Sequence, residues 1–160
     1  MTDTPSIAPV VAYAGERRRF AVGGDLYGLI ATRRHTGGRF TIYETVTPPG
    51  HGAMPHRHSK ESESFLMLDG VLTVRSGDRA LELRAGDFVT FPEGCTYGFR
   101  NETDAPVRFI TFLIPGGLED FLVEVGHPVD HAATGHAPSP ESIEAMVDLG
   151  REYGVEYFRS

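Results

Sequence analysis

Between residues 17 and 114 the chain is a succession of short stretches in which apolar and polar residues alternate, each ended by Gly, Pro or Asp. Such alternation puts successive side chains on opposite faces of a strand. RRRFAV, beginning at Arg17, is followed by a Gly23-Gly24-Asp25 turn and then LYGLIATRR. HTGG (35–38) is the next turn, and in RFTIYETV the residues Phe40, Ile42, Glu44 and Val46 alternate with Thr41, Tyr43 and Thr45. Pro48-Pro49-Gly50 closes that strand. Phe65 to Leu68 form a continuous apolar run, which predicts a strand buried on both faces. VLTVRS, ALELR, FVTF, TYGFRN and VRFITFLI follow, separated by Gly77-Asp78, Ala85-Gly86-Asp87, Pro92-Glu93-Gly94 and the loop from Asn101 to Pro106. Roughly ten strands at this spacing predict an antiparallel sandwich or barrel.

After Pro115-Gly116-Gly117 the period changes. LEDFLVEV predicts a short helix that buries Leu118, Phe121, Leu122 and Val125. HPVDHAATGHAPSP (127–140) reads as a loop. Ser139-Pro140-Glu141 then combines an N-cap serine, a proline at the first helical position and an acid in the first turn. Ile143, Met146, Val147 and Gly150 follow at helical spacing, and Tyr153-Gly154 ends the helix. The expected organisation is one domain: an arm over 1–15, a β-barrel over 17–115 and a helical tail over 116–160 whose apolar face packs on the barrel.

The stretch Gly50 to Gly70 carries the chemistry. His56 and His58 share a strand face, and Glu63 follows five residues after the second histidine. Two imidazoles and a carboxylate that converge make a two-histidine, one-carboxylate site for a divalent transition metal: iron, nickel, manganese or zinc. Glu61 is the rival carboxylate, expected to face solvent or Lys60.

Composition narrows the setting. The 160 residues are enough for a proper core without staples, and no long apolar run predicts a membrane helix. Asp3 and the absence of a basic start argue against a signal peptide, and the single cysteine suits a reducing cytoplasm. With a net charge of −7 and Arg17-Arg18-Arg19 as the one basic cluster, nucleic acid is not an expected partner. The arginine run reads as a solvated strand end or a dimer contact.

At this point the chain resembles the cupins. Gly50, His56, His58, Glu63 and Gly70 match the first cupin motif at every defined position, and GDFVTFPEGCTYGFRN matches the second through Gly86, Pro92, Gly94 and Asn101. The departure is Tyr97, which stands where the family's fourth metal ligand, a histidine, would be. The wording of the tail, IPGGLEDF and later REYGVEYF, looks like the quercetin 2,3-dioxygenase-like subgroup. The resemblance implies an all-β jelly-roll barrel with short C-terminal helices, a metal on His56, His58 and Glu63, and a homodimer formed through the N-terminal strands. It further implies a small-molecule dioxygenase with Glu63 as base. Tyr97 leaves three readings open: a phenolate ligand, a hydrogen-bonding acid/base beside a three-ligand metal, or a filler in a site that has lost its metal. With it stand two functional alternatives, a non-oxidative isomerase, cyclase or lyase and a small-molecule-binding module. Inward parity makes Phe65, Met67 and Phe99 pocket residues, with Tyr43 and Met54 as further candidates; all of them are also ordinary barrel core. His51, His127, His131 and His136 read as loop histidines, and Cys95 as a small buried hydrophobe.

Overall fold

The computed structural model describes residues 8–135 and 137–159. His136 and residues 1–7 of the expected arm lie outside them. After a single 3-10 turn at Ala14–Glu16 the strands run β1 (Arg19–Val22), β2 (Asp25–Ala31), β3 (Thr41–Thr47), β4 (Gly52–His58), β5 (Ser62–Asp69) and β6 (Val71–Ser76). They continue with β7 (Arg79–Arg84), β8 (Phe88–Phe91), β9 (Tyr97–Arg100), β10 (Val107–Ile114), β11 (His127–Val129) and β12 (Val155–Tyr157). The helices are α1 (Arg33–Thr36), α2 (Glu119–Val125) and α3 (Pro140–Glu152). Among the described residues no helix is long and apolar enough to cross a membrane.

All the strand pairings are antiparallel, in two sheets. One has the order β11-β1-β2-β3-β10-β5-β8 and the other β12-β4-β9-β6-β7. Their inner faces form a jelly-roll core in two apolar clusters, one around Phe65, Leu72, Phe91 and Phe109, the other around Phe20, Leu29, Leu113 and Phe121. Period-two burial is clearest in β5, where Glu63, Phe65 and Met67 point inward and Leu68 is 40% exposed. The run Phe65 to Leu68 is thus buried on one face, not both: among the described residues Leu66 is half-buried and Leu68 exposed on the outer face. In β3 the inward set is Thr41, Tyr43, Thr45 and Thr47, whereas Ile42 and Val46 lie half-buried on the outer face. Strand pairing at this register overrides the more apolar parity, and Thr45 and Thr111 recover a hydroxyl-hydroxyl hydrogen bond of 3.0 Å inside.

Three short elements differ from the sequence reading. HTGG sits at the end of a one-turn helix, α1, in which the Thr32 N–H donates to His35 Nδ1 at 3.1 Å. Residues 127–129, expected in a loop, form β11 and pair with β1. Arg19 extends that attachment by donating from Nη1 to the Asp130 and His131 carbonyls at 3.2 and 2.7 Å. Residues 155–157 form β12 beside β4, with Val155 opposite His58 and Tyr157 opposite His56. The remainder of the tail follows its cues. Ser139 caps α3 by accepting from the Ser142 N–H at 3.2 Å, and Met146, Val147 and Gly150 are buried. At the start of α2 the buried Glu119 accepts from the Arg33 and Gly117 N–H groups at 2.6 and 3.0 Å and from the Thr41 hydroxyl. One carboxylate therefore ties α1, β3 and α2 together.

Candidate metal centre and cavity

Strand parity delivers His56 and His58 from β4 to the interior, and Glu63 meets them from β5 in the opposite sheet. All three are buried, and one ligand atom from each lies within 4.8 Å of the others. His58 Nε2 and Glu63 Oε2 are 3.4 Å apart, within the separation of about 3–4 Å that two ligands on one first-row ion require. The other ring nitrogens are turned away. His56 Nδ1–H donates to the Met54 carbonyl at 2.8 Å, and His58 Nδ1 faces Glu61 Oε2 at 3.6 Å. Both imidazoles thus present Nε2 to one space, which is how metal-ligating histidines are oriented.

The electrostatics agree with a cation's place in that space. Burial and then the neighbouring His58 lower the His56 pKa to about 4, so His56 is neutral at physiological pH. Burial works against a charged His58 as well, but Glu63 and Glu61 outweigh it and raise its pKa to about 9. Burial also opposes the Glu63 carboxylate, and the two histidines with the Tyr43 hydroxyl overcome it to hold the pKa below the usual value. Without a metal the triad therefore carries one proton beyond those of two neutral imidazoles, on His58, and a divalent ion bound there would displace it. The residues fit such an ion.

Glu61, expected in solvent, is instead 6% exposed. The two residues before it are tied to the turn after α3: the Gly154 carbonyl accepts from the Ser59 N–H at 2.8 Å, and Lys60 Nζ reaches the Glu152 carbonyl at 3.5 Å. Glu61 shares the odd parity of Glu63, a signal present in the sequence that the polar neighbours Ser59 and Lys60 obscured.

The phenol that contacts the triad is Tyr43, whose hydroxyl donates to Glu63 Oε1 at 3.1 Å. Tyr97 lies directly across from His56 on β9, with ring centroids 4.6 Å apart. Phe91 stacks on it in parallel at 3.6 Å, and the buried Tyr97 hydroxyl has no hydrogen-bond partner among the described residues. Tyr97 belongs to the Phe65–Phe91 cluster and does not line the cavity. Tyr157, on the unforeseen β12, does line it, with its ring 5.5 Å from that of His56.

The cavity beside the triad has a volume of about 620 Å³. Of the residues expected to line it, Tyr43, Met54, Phe65 and Phe99 do so. Met67 does not: it lies one inward position further along β5, opposite Phe109, and fills the core there. Leu118, Phe121 and Leu122 around α2 and Ile143 and Met146 of α3 close the cavity from the tail. His51 also lines it, its ring occupying the space of a side chain at Gly24: a Cβ there would stand 2.2 Å from His51 Nδ1. His127 and His131 are exposed and take no part, and Cys95 is half-buried beside Ser76. Asn101 is structural: its Nδ2 donates to the Thr47 and Ala105 carbonyls at 2.9 and 2.7 Å, and its Oδ1 accepts from the Thr103 N–H at 2.9 Å.

Comparison with known proteins agrees with this architecture. Residues 43–113 match the Cupin domain family. The quercetin 2,3-dioxygenase of Bacillus subtilis is 28% identical over 131 residues, which cover 81% of this chain and 39% of that protein. The chain thus spans about two fifths of the length of this relative. Among solved structures, KdgF from Halomonas sp. superposes with a TM-score of 0.61 at 15% identity, covering 69% of this chain and 98% of the other. An RmlC-like cupin from Shewanella frigidimarina gives 0.60 at 16% identity, with 71% and 96% covered. At these identities the two structures establish the fold alone. The strands that bring His56, His58 and Glu63 together therefore match the cupin domain over residues 43–113, in a chain that resembles a quercetin 2,3-dioxygenase over 81% of its length.

Proposed function

We propose that this cupin is a metal-dependent dioxygenase acting on a small aromatic or enolisable molecule. The observation that carries the reading is the orientation of the two imidazoles, His56 held through Nδ1 and His58 with Nδ1 turned to Glu61, so that both Nε2 atoms and Glu63 face one point at the cavity wall. A divalent iron, nickel, manganese or zinc ion held by His56, His58 and Glu63 would supply a Lewis acid for an enol or phenol oxygen of the substrate. The chain's own residues do the rest. Glu63 Oε1 accepts the proton of the substrate hydroxyl, and Tyr43 donates to the same oxygen and keeps the carboxylate in place. Phe65, Phe99 and Met54 offer an apolar wall to a flat ring, and Leu118, Leu122 and Met146 restrict the entry of water from the tail side.

The test is the metal content of protein purified without chelator, followed by oxygen uptake with a flavonol. Near-stoichiometric transition metal and flavonol-dependent oxygen consumption are expected, and Glu63→Ala should lower turnover by at least about 100-fold while the barrel stays folded. Turnover that persists in Glu63→Ala overturns the assignment. Turnover that is unchanged under nitrogen would place the enzyme among the non-oxidative isomerases and lyases.

A further inference from the structure

The cavity has a second acidic group that the metal centre does not use. Asp25 opens β2 at the end of the β1–β2 hairpin, where Gly23 and Gly24 take the positive φ angles, 59° and 94°, that a tight two-residue turn needs. Its side chain is 1% exposed and lines the cavity, and its Oδ1 has no hydrogen-bond partner among the described residues. Pairing of Leu26 with Val46 places Asp25 beside Thr47, whose Oγ1 is also without a partner. Nearly all buried polar side chains in folded proteins are paired, and an unpaired carboxyl oxygen in the interior is costly. Among the described residues Asp25 caps no helix, and the neighbouring Thr47 and Tyr27 hydroxyls leave its Oδ1 unpaired.

The position of this carboxyl indicates a ligand. Glu63 pairs level with Leu113, and Leu113 with Thr41, so Asp25 and Glu63 are separated by three inward-facing positions along β3, from Thr41 to Thr47. The wall between them is Tyr43 and Tyr27, packed edge to face at 5.4 Å, together with Thr45 and Thr111, whose hydroxyls satisfy each other. Burial raises the Asp25 pKa to about 8, and the Thr47 and Tyr27 hydroxyls only temper the rise, so the group is a neutral carboxylic acid at physiological pH. A neutral carboxyl donates and accepts at once, the pattern that a hydroxyl or a carboxamide matches.

We propose that Asp25 is a specificity residue that receives a hydroxyl at the far end of a flat aromatic ligand whose near end lies at His56, His58 and Glu63. The placement of the near end rests on the function proposed above; the unpartnered carboxyl at the far end does not. The test is anaerobic titration of zinc-loaded protein with quercetin and with 3-hydroxyflavone, which keeps the metal-binding edge of quercetin and lacks its outer hydroxyls. Wild type should bind quercetin roughly tenfold or more tightly than 3-hydroxyflavone. Asp25→Ala should erase that preference without lowering the melting temperature of the ligand-free protein, and Asp25→Asn, which still donates and accepts, should restore most of it. A preference that survives in Asp25→Ala overturns the proposal, and so does a wild type that fails to prefer quercetin, absence of binding included. The two readings can fail separately. An Asp25-dependent preference in protein that consumes no oxygen keeps this inference and removes the dioxygenase; oxygen consumption with no Asp25-dependent preference does the reverse.

Discussion

Replacing Glu61 tests whether the outer face of the metal centre is part of its design. His58 Nδ1 has no hydrogen-bond partner within 3.5 Å, and the atom it faces is Glu61 Oε2 at 3.6 Å; both side chains are almost fully buried. When His58 ligates through Nε2 its Nδ1 must carry the proton, and Glu61 is then the acceptor that fixes the ring and raises its basicity. Outer carboxylates of this kind change metal affinity by about 10–100-fold, equivalent to about 1.4–2.8 kcal/mol. Glu61→Ala should fall in that range. Glu61→Gln should lose less, because the amide oxygen still accepts from Nδ1–H but brings no charge. The assay is competition for zinc against a chromophoric chelator at constant pH, with the melting temperature of metal-free protein as the folding control. Nitrogen chemical shifts of the zinc-loaded protein would read the His58 tautomer directly. If Glu61→Ala binds zinc within twofold of wild type, the reasoning fails and Glu61 is a buried bystander.

Tyr97→Phe should leave zinc affinity within twofold and stability unchanged or higher by about 1 kcal/mol, since the buried hydroxyl it removes has no partner; a tenfold loss of affinity would show that this hydroxyl is a ligand. Asp25→Asn should change how stability depends on pH. The Asp25 pKa rises from 3.8 to about 8 on folding, so the folded state keeps a proton that the unfolded chain releases, and stability falls as pH rises from about 4 to about 8. The asparagine variant lacks that contribution, at most about 6 kcal/mol, and its urea-unfolding free energy should fall less between pH 5 and pH 8; parallel curves for the two proteins would refute the burial argument.

What could be read from the sequence depended on how far a signal reached along the chain. The central strands were legible because alternation over six to eight residues, closed by Gly, Pro or Asp, fixes both element and face, as in β5. β11 and β12 were not: three residues carry no usable period, and their partners are more than 90 residues away, Ala21 opposite His127 and His58 opposite Val155. In β3 the alternation left open which face turns inward, although Tyr43 was a candidate for the pocket. The parity with Ile42 and Val46 faces out, because Tyr43 and the threonines are the side chains that the register with β2 and β10 turns inward. The ligand set was legible because strand parity alone joins His56 to His58, and the spacing to Glu63 adds the carboxylate. The placement of the phenol was not, because the contact between Tyr43 and Glu63 crosses from β3 to β5 through the intervening β10.

These failures lie largely at the same place in the molecule, and that has a functional consequence. Residues 43–113, which match the family, contain the three ligand candidates and Tyr43. The groups that give the site its individual character lie largely outside them. Asp25 comes from β2, Tyr157 from β12, and the lid from α2 and α3. Even Glu61, inside the match, follows two residues, Ser59 and Lys60, that are tied to the turn at Glu152–Gly154. A barrel with the same motifs and a different tail would lose those ties beside the pair His58–Glu61, and two charges exposed to water interact several-fold more weakly than in the interior. The tail thus shapes the cavity beside the candidate metal centre and holds the residues that precede Glu61. Variation in residues 19–31 and 115–157 is accordingly where related cupins should change substrate while keeping His56, His58 and Glu63.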